Sequence, residues 1–580
     1  MSLLPFSELP VHTPRRVVPA TVDLGRWEDL EPIYDGLAQR LKDITINDQL
    51  VEWLVDFGEL SAVLDEEGAR RYIAMTCHTD DPEAQKAYLA FIENVEPPTK
   101  PRRFALEKAY LEHPAHRKAA PGDRLFVFDR DVEVSVGMYR DENVPLETEE
   151  SRLAQSYSQL MGGLTVEYDG KERTLQAMGV YLEETDRSKR EQAWRLTVEK
   201  RLAVRDEVNK IFGELLPLRG KLASNAGFAD YRDYAFQMRR RFDYGVKESL
   251  AFHQAVESEV MPVLRGLQKA RQTKMGLAEL RPWDLAVNPM GLPRLRPFEG
   301  AGQLVEKSAK VFRQLDGELG DWFQVLVKHH LLDLENRKGK APGGYQYTLS
   351  EARMPFIFMN AVGLQRDVET LLHEGGHAFH ALAARDESLL AYRSAPIEFC
   401  EVASMAMELL GNDYLEEFYS HTDAIRARRD HLEGVVATLP WIAVIDSFQH
   451  WLYTHPGHSL AERTAEWMSI LDRFGGIVDW TGLEPFREVM WQRQPHLFGN
   501  PFYYIEYGIA QLGALQIWVN SRKNPAEAVR QYKDGLRLGG SRPLPELFAA
   551  SGCRFDFTAC TIRPLMQRVQ EELVRLGDGA

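Results

Sequence analysis

Residues 371–380 read Leu371-Leu372-His373-Glu374-Gly375-Gly376-His377-Ala378-Phe379-His380, and the fold and chemistry of the chain are best read outward from them. On an α-helix, positions i and i+4 lie on one face, so His373 and His377 can turn their imidazoles to one metal ion. Glu374 then falls beside the ion, where a carboxylate can take a proton from a bound water. A helix is expected here because Val368, Leu371, Leu372, Phe379 and Leu382 make an apolar stripe and Asp367 can cap its start. Gly375 and Gly376 cost about 1 kcal/mol each against Ala inside a helix, which is sensible where another backbone or a ligand approaches closely.

Just upstream, Tyr345–Leu349 and Met354–Met359 are short, aromatic and β-branched, and they read as a small sheet. Pro355 marks the second segment as an edge strand, because proline cannot donate to a ladder. Downstream, a catalytic metal site needs a third protein ligand. A histidine six residues after His377 would supply it in one arrangement, but that position is Ala383. The remaining candidates are Glu398, Glu401 and Glu408, in a helix otherwise built from Phe399, Cys400, Val402, Ala403, Met405 and Met407. Glutamates in so apolar a helix need partners. Spacing alone leaves Glu398 and Glu401 as alternatives. His380 reads as a packing or supporting residue, and the pair His329-His330 as structural.

The rest of the chain is mainly α. Apolar residues recur at helical spacing over 149–165, 186–222, 245–273, 302–331 and 402–435. Breaks fall where Pro and Gly gather, at 96–101, 281–300 and 336–344. The 580 residues carry a formal net charge of −16, which argues against a nucleic-acid or anionic-membrane partner. The four cysteines, Cys77, Cys400, Cys553 and Cys560, form no CxxC pair and point to a reducing, cytoplasmic setting. The opening residues, MSLLPFSELPVHTPRR, lack the charged and apolar regions of an export signal. No apolar run approaches the ~18–20 residues of a membrane span, the longest being of the size of Leu439–Ile445.

These residues resemble the M3 family of zinc oligopeptidases, closest to its oligoendopeptidase F branch. The match rests on HEGGHAFH at 373–380 and Glu401-Val402-Ala403-Ser404, with looser matches at Leu222–Tyr231, Pro282–Leu285, Arg337–Lys340 with Gly343–Tyr345, and Pro501–Tyr507. It covers roughly 200–560 and departs at Gly375, where the family usually carries a bulky residue. The resemblance implies a two-lobed helical zincin with a deep central channel and a small β-sheet preceding the HExxH helix. The lobes would be 1–150 with 340–560, carrying the catalytic centre, and 151–339 with 561–580, forming the opposite wall. It implies one Zn²⁺ per chain on His373, His377 and Glu401, with Glu408 supporting the histidines and Glu374 as general base. Transition-state donors would be Tyr507, Tyr504 and His496. Tyr504 and Tyr507 have the family's spacing, while Tyr503 and Tyr507 are one helical turn apart. The strand at 354–360 would pair with the substrate backbone. The implied activity is hydrolysis of internal bonds in short unstructured peptides. A zinc carboxypeptidase or dipeptidyl carboxypeptidase, and a non-catalytic peptide binder, are the alternative readings.

Overall fold

The computed structural model describes residues 9–341 and 343–577. The opening segment read above for an export signal lies partly outside them. The protein is mainly helical and divides into two compact units. The first comprises 1–137, 296–428 and 513–555, and the second 138–295, 429–512 and 556–580. This differs from the expected division: 296–339 falls in the first unit and 429–512 in the second. The reasons are local. Phe312, on helix Gly300–Leu315, is fully buried and stacks edge-on against Phe379 of the motif helix, ring centroids 4.8 Å apart. In the second unit the buried Arg219 guanidinium binds Glu150 at 2.6 Å, the Tyr453 hydroxyl at 2.6 Å and the Leu497 carbonyl at 2.8 Å. Residues near 453 and 497 are thereby tied to helices near 150 and 219.

Strands β1 (Thr165–Tyr168) and β2 (Lys171–Thr174) form an antiparallel hairpin in the second unit. In the first unit, β3 (Leu332–Glu335), β4 (Tyr345–Leu349) and β5 (Met354–Ala361) form a sheet of order β3-β5-β4. β3 runs parallel to β5, and β4 antiparallel to it. The strand containing Pro355 is therefore central, and β4 is an edge. The Ile357 amide donates to the Leu331 carbonyl on the β3 side. Amide directions alternate along a strand, so the donor missing at Pro355 would face the same side. There β3 pairs only from Leu332, opposite Ile357, and the proline removes no ladder bond.

The motif helix runs Gln365–Ala384. Its start differs slightly from expectation. Asp367 lies in the first turn and accepts the backbone amides of Val362, Gly363 and Leu364 at 2.8, 2.9 and 2.9 Å. Several long helical stretches are interrupted. The stretch 302–331 breaks at Asp316, whose carboxylate caps Gly317–Lys328 by accepting from Glu318 and Leu319. The stretch 402–435 spans two helices, Ile397–Gly411 and His421–Thr454. No helix among the described residues is long and apolar enough to cross a membrane.

Candidate active site

The metal-ligand candidates meet because two helices cross at a glycine. A Cβ at Gly376 would lie 2.6 Å from Ser404 Cα and 2.9 Å from the Ala403 carbonyl carbon. Only a glycine lets helix Ile397–Gly411 approach this closely. Gly375 faces the other way, where a Cβ would sit 2.8 Å from Phe312 Cζ. The ring of Phe312 thus fills the space at the position where the sequence departs from the family pattern.

Across this crossing, Glu401 Oε2 lies 3.4 Å from His373 Nε2 and 3.7 Å from His377 Nε2. All three ligand atoms lie within 4.8 Å of one another. Ligands held ~2.0–2.1 Å from a tetrahedral ion are separated by about 3.4 Å, so the spacing suits a small divalent cation. The donor set of two imidazole nitrogens and a buried carboxylate suits one too. These contacts single out Glu401 where spacing had left Glu398 open. Glu398 is also buried, on the same helix. Glu408 accepts from His373 Nδ1 at 2.6 Å, which leaves the Nε2 lone pair directed to the triad. Ser404 Oγ lies 3.2 Å from Glu401 Oε2.

The electrostatics follow from burial. Burial lowers the basicity of His373, but the bond and charge of Glu408, with Glu401 and Glu374, raise its pKa to about 9. His377 is held well below the ordinary imidazole value by burial, then by the neighbouring charges of His373 and His380. Burial pushes Glu374 up to about 7; His373 opposes this and Glu401 adds to it. A carboxylate poised near neutrality can both accept and release a proton. The Gln346 backbone amide bonds to Glu374, a partner the motif does not reveal. Gln346 lies on edge strand β4, and its amide can point out only because the ladder to β5 uses alternate residues. His380 packs edge-on against Phe399 and is lowered to about 4 by burial. It stands outside the triad.

His496, Tyr503, Tyr504 and Tyr507 gather in the second unit. The His496 ring lies 5.0 Å from that of Tyr504 and 5.9 Å from that of Tyr507. Gln494 Nε2 lies 2.7 Å from His496 Nδ1. Burial, then the charge of Arg239, lower His496 to about 4, so it is neutral near pH 7. The loop before Tyr504 is gripped by three arginines that sequence spacing could not identify. Arg219 binds the carbonyls of Leu497 and Phe498, Arg239 that of Pro501, and Arg241 that of Phe502. Arg239 and Arg241 also pair with the buried Glu506, at 3.3 and 3.0 Å. Phe502 takes a left-handed φ of 62°, a strained conformation for a non-glycine residue that these contacts hold.

Comparison with known proteins adds identity to this geometry. The family model of Peptidase family M3 matches residues 180–566. An oligoendopeptidase F homolog of Borreliella burgdorferi is 25% identical over 305 residues, 50% of each chain. Oligopeptidase PepF of Bacillus subtilis is 27% identical over 237 residues, 39% of this chain and 34% of that protein. The chain thus spans about half the length, or less, of these curated relatives. Among solved structures, PZ peptidase A with an inhibitor superposes with a TM-score of 0.89 at 27% identity, over 99% of this chain and 100% of that one. An oligoendopeptidase F superposes with a TM-score of 0.87 at 26% identity, over 98% and 100%. Because the family match runs through well over half of the sequence and across every residue of the buried His–Glu cluster, this chain belongs to Peptidase family M3.

Proposed function

We propose that the chain is a zinc-dependent oligoendopeptidase, holding one Zn²⁺ on His373, His377 and Glu401 and hydrolysing internal bonds of short, unstructured peptides. The observation that carries this reading is the convergence of those three ligand atoms with Glu374 adjacent in sequence. Zinc at such a site supplies an acidified water and a polarised scissile carbonyl. Glu374 accepts the proton of the attacking water on its carboxylate and delivers it to the departing amine nitrogen. Glu408 keeps His373 oriented through Nδ1. The polar backbone of Gln346 and Thr348 turns away from β5, so an extended peptide would add to β4 rather than to the strand at 354–360. An added strand there would run beside the Gln346 amide that bonds Glu374. Following the resemblance, Tyr507 donates to the oxyanion of the transition state, with Tyr504 and His496 assisting. The names of the curated relatives support the endopeptidase mode. The free cysteines support a cytoplasmic setting.

An internally quenched peptide blocked at both ends tests the reading. The zinc-loaded protein cleaves it, and Glu374→Gln retains the metal but loses about 10²–10⁴-fold in turnover. Cleavage only of peptides with a free carboxyl end would replace the endopeptidase reading with a carboxypeptidase one. Near-normal turnover by Glu374→Gln would remove that residue from the mechanism.

A further inference from the structure

Edge strand β4 carries tyrosines for which the proposed chemistry has no use. Tyr345 and Tyr347 flank Gln346, so their side chains share one face of the sheet. The Gln346 and Thr348 side chains share the other face, with Nε2 and Oγ1 3.0 Å apart. Helix Asn47–Cys77 lies on the tyrosine face. Its Tyr72 ring is centred 5.5 Å from Tyr345 and 6.0 Å from Tyr347. Tyr88, on helix Pro82–Asn94, extends the group at 5.6 Å from Tyr72. The Tyr345 and Tyr347 rings meet edge-on, 6.4 Å apart at 84°.

One of the four is complete within the fold. The Tyr345 hydroxyl lies 2.6 Å from Thr76 Oγ1, and its ring stacks on buried Phe358 at 4.7 Å. The other three are open. The phenol oxygens of Tyr72, Tyr88 and Tyr347 have no hydrogen-bond partner among the described residues, and those of the partly buried Tyr72 and Tyr88 are not sealed from solvent. Tyr347 is 39% exposed. Burial raises all three phenols above their ordinary value, so they present neutral rings near pH 7. A peptide strand added to β4 puts every second side chain on the tyrosine face, its Cβ about 4.5–5.5 Å from that of the β4 residue opposite. Between the two β4 tyrosines, the Gln346 amide bonds Glu374. The side chain that meets Tyr347 therefore belongs to a residue within about two of the scissile bond. We propose that Tyr72, Tyr88 and Tyr347 form a subsite for an aromatic side chain of the peptide substrate. This rests on the reading that substrate adds to β4. Aromatic rings gain from tilted contacts with centroids 4.5–7 Å apart, the spacing this group already keeps. A cationic side chain is the rival occupant, because Asp65 and Glu96 act on the Tyr347 phenol. Arg103 opposes the charge of Asp65, which favours the neutral ring.

The test measures binding, so it does not depend on turnover. Fluorescence anisotropy on the full-length, zinc-loaded Glu374→Gln protein compares labelled peptides of one sequence in which Phe, Leu, Arg or Ala stands at each position in turn. Mass spectrometry of the wild-type products locates the scissile bond. At one position within about two residues of that bond, the Phe peptide binds about tenfold tighter than the Ala peptide, and tighter than the Leu and Arg peptides. The advantage falls to within about threefold in Tyr347→Val, which suits a strand, and in Tyr88→Leu, which suits a helix, whereas Tyr88→Phe keeps it. Equal binding of the Phe and Leu peptides at every position overturns the proposal. So does a preference for Arg, which would give the surface to Asp65 and Glu96, and so does a Phe advantage that survives both Tyr347→Val and Tyr88→Leu. Wild-type protein that cleaves none of the peptides would sink the proposed function, yet the binding comparison would still decide the subsite.

Discussion

The His–Glu cluster and the aromatic loop are built in opposite ways. His373, Glu374 and His377 sit within one helical turn of a single element, and one crossing helix completes the set with Glu401 and Glu408. Their geometry follows from helix periodicity and a glycine contact. The loop of His496, Tyr503, Tyr504 and Tyr507 has no such local rule. It is held by Arg219, Arg239 and Arg241, which bind carbonyls more than 250 residues away in sequence. One group is thus encoded locally and the other only by the fold, and the two should fail differently when altered.

Of Tyr507→Phe and Glu408→Gln, one from each group, the larger effect is expected from the first. Tyr507→Phe removes one hydroxyl and should lower kcat by about 10²–10³-fold with zinc content unchanged. Steady-state kinetics beside metal analysis checks this. A loss confined to KM would mean that Tyr507 binds substrate without stabilising the transition state.

The same contrast explains what was legible in advance. The histidine pair, the glutamate helix and β4 could be read from spacing and composition, because each depends on neighbours in sequence. Pro355 marks β5 as an edge only while its partner strand is out of view, and β3, four residues long, carries no separate signal in the sequence. The β1–β2 hairpin lies just past the helical stretch 149–165, where no strand is expected, although Asp169-Gly170, both at positive φ, is a hairpin turn sequence. The contacts of Phe312 with Gly375 and of Gln346 with Glu374 are tertiary, and so is the choice of Glu401 over Glu398 by distance. The arginine grip was invisible because nothing in the pattern of residues 219–241 points to residues 497–502.

Glu408→Gln, beside the metal ligands, has the smaller effect of the two. Glu408→Gln leaves all three ligands in place but replaces the charged acceptor of His373 Nδ1 with a neutral one. Zinc affinity should fall by roughly 10–100-fold, while turnover at saturating zinc stays nearer to wild type. Competition with a chromogenic chelator measures the first quantity. Unchanged affinity would show that Glu408 does not orient the histidine.

The central claim is that two imidazoles and one carboxylate hold a divalent ion on which peptide cleavage depends. Elemental analysis of the purified protein and its His377→Ala variant, with peptide turnover before and after chelation, tests it most directly. The account predicts one zinc per wild-type chain, cleavage lost on chelation and restored by zinc, and neither metal nor turnover in His377→Ala. Full cleavage by metal-free wild-type protein, or stoichiometric zinc in His377→Ala, would contradict it.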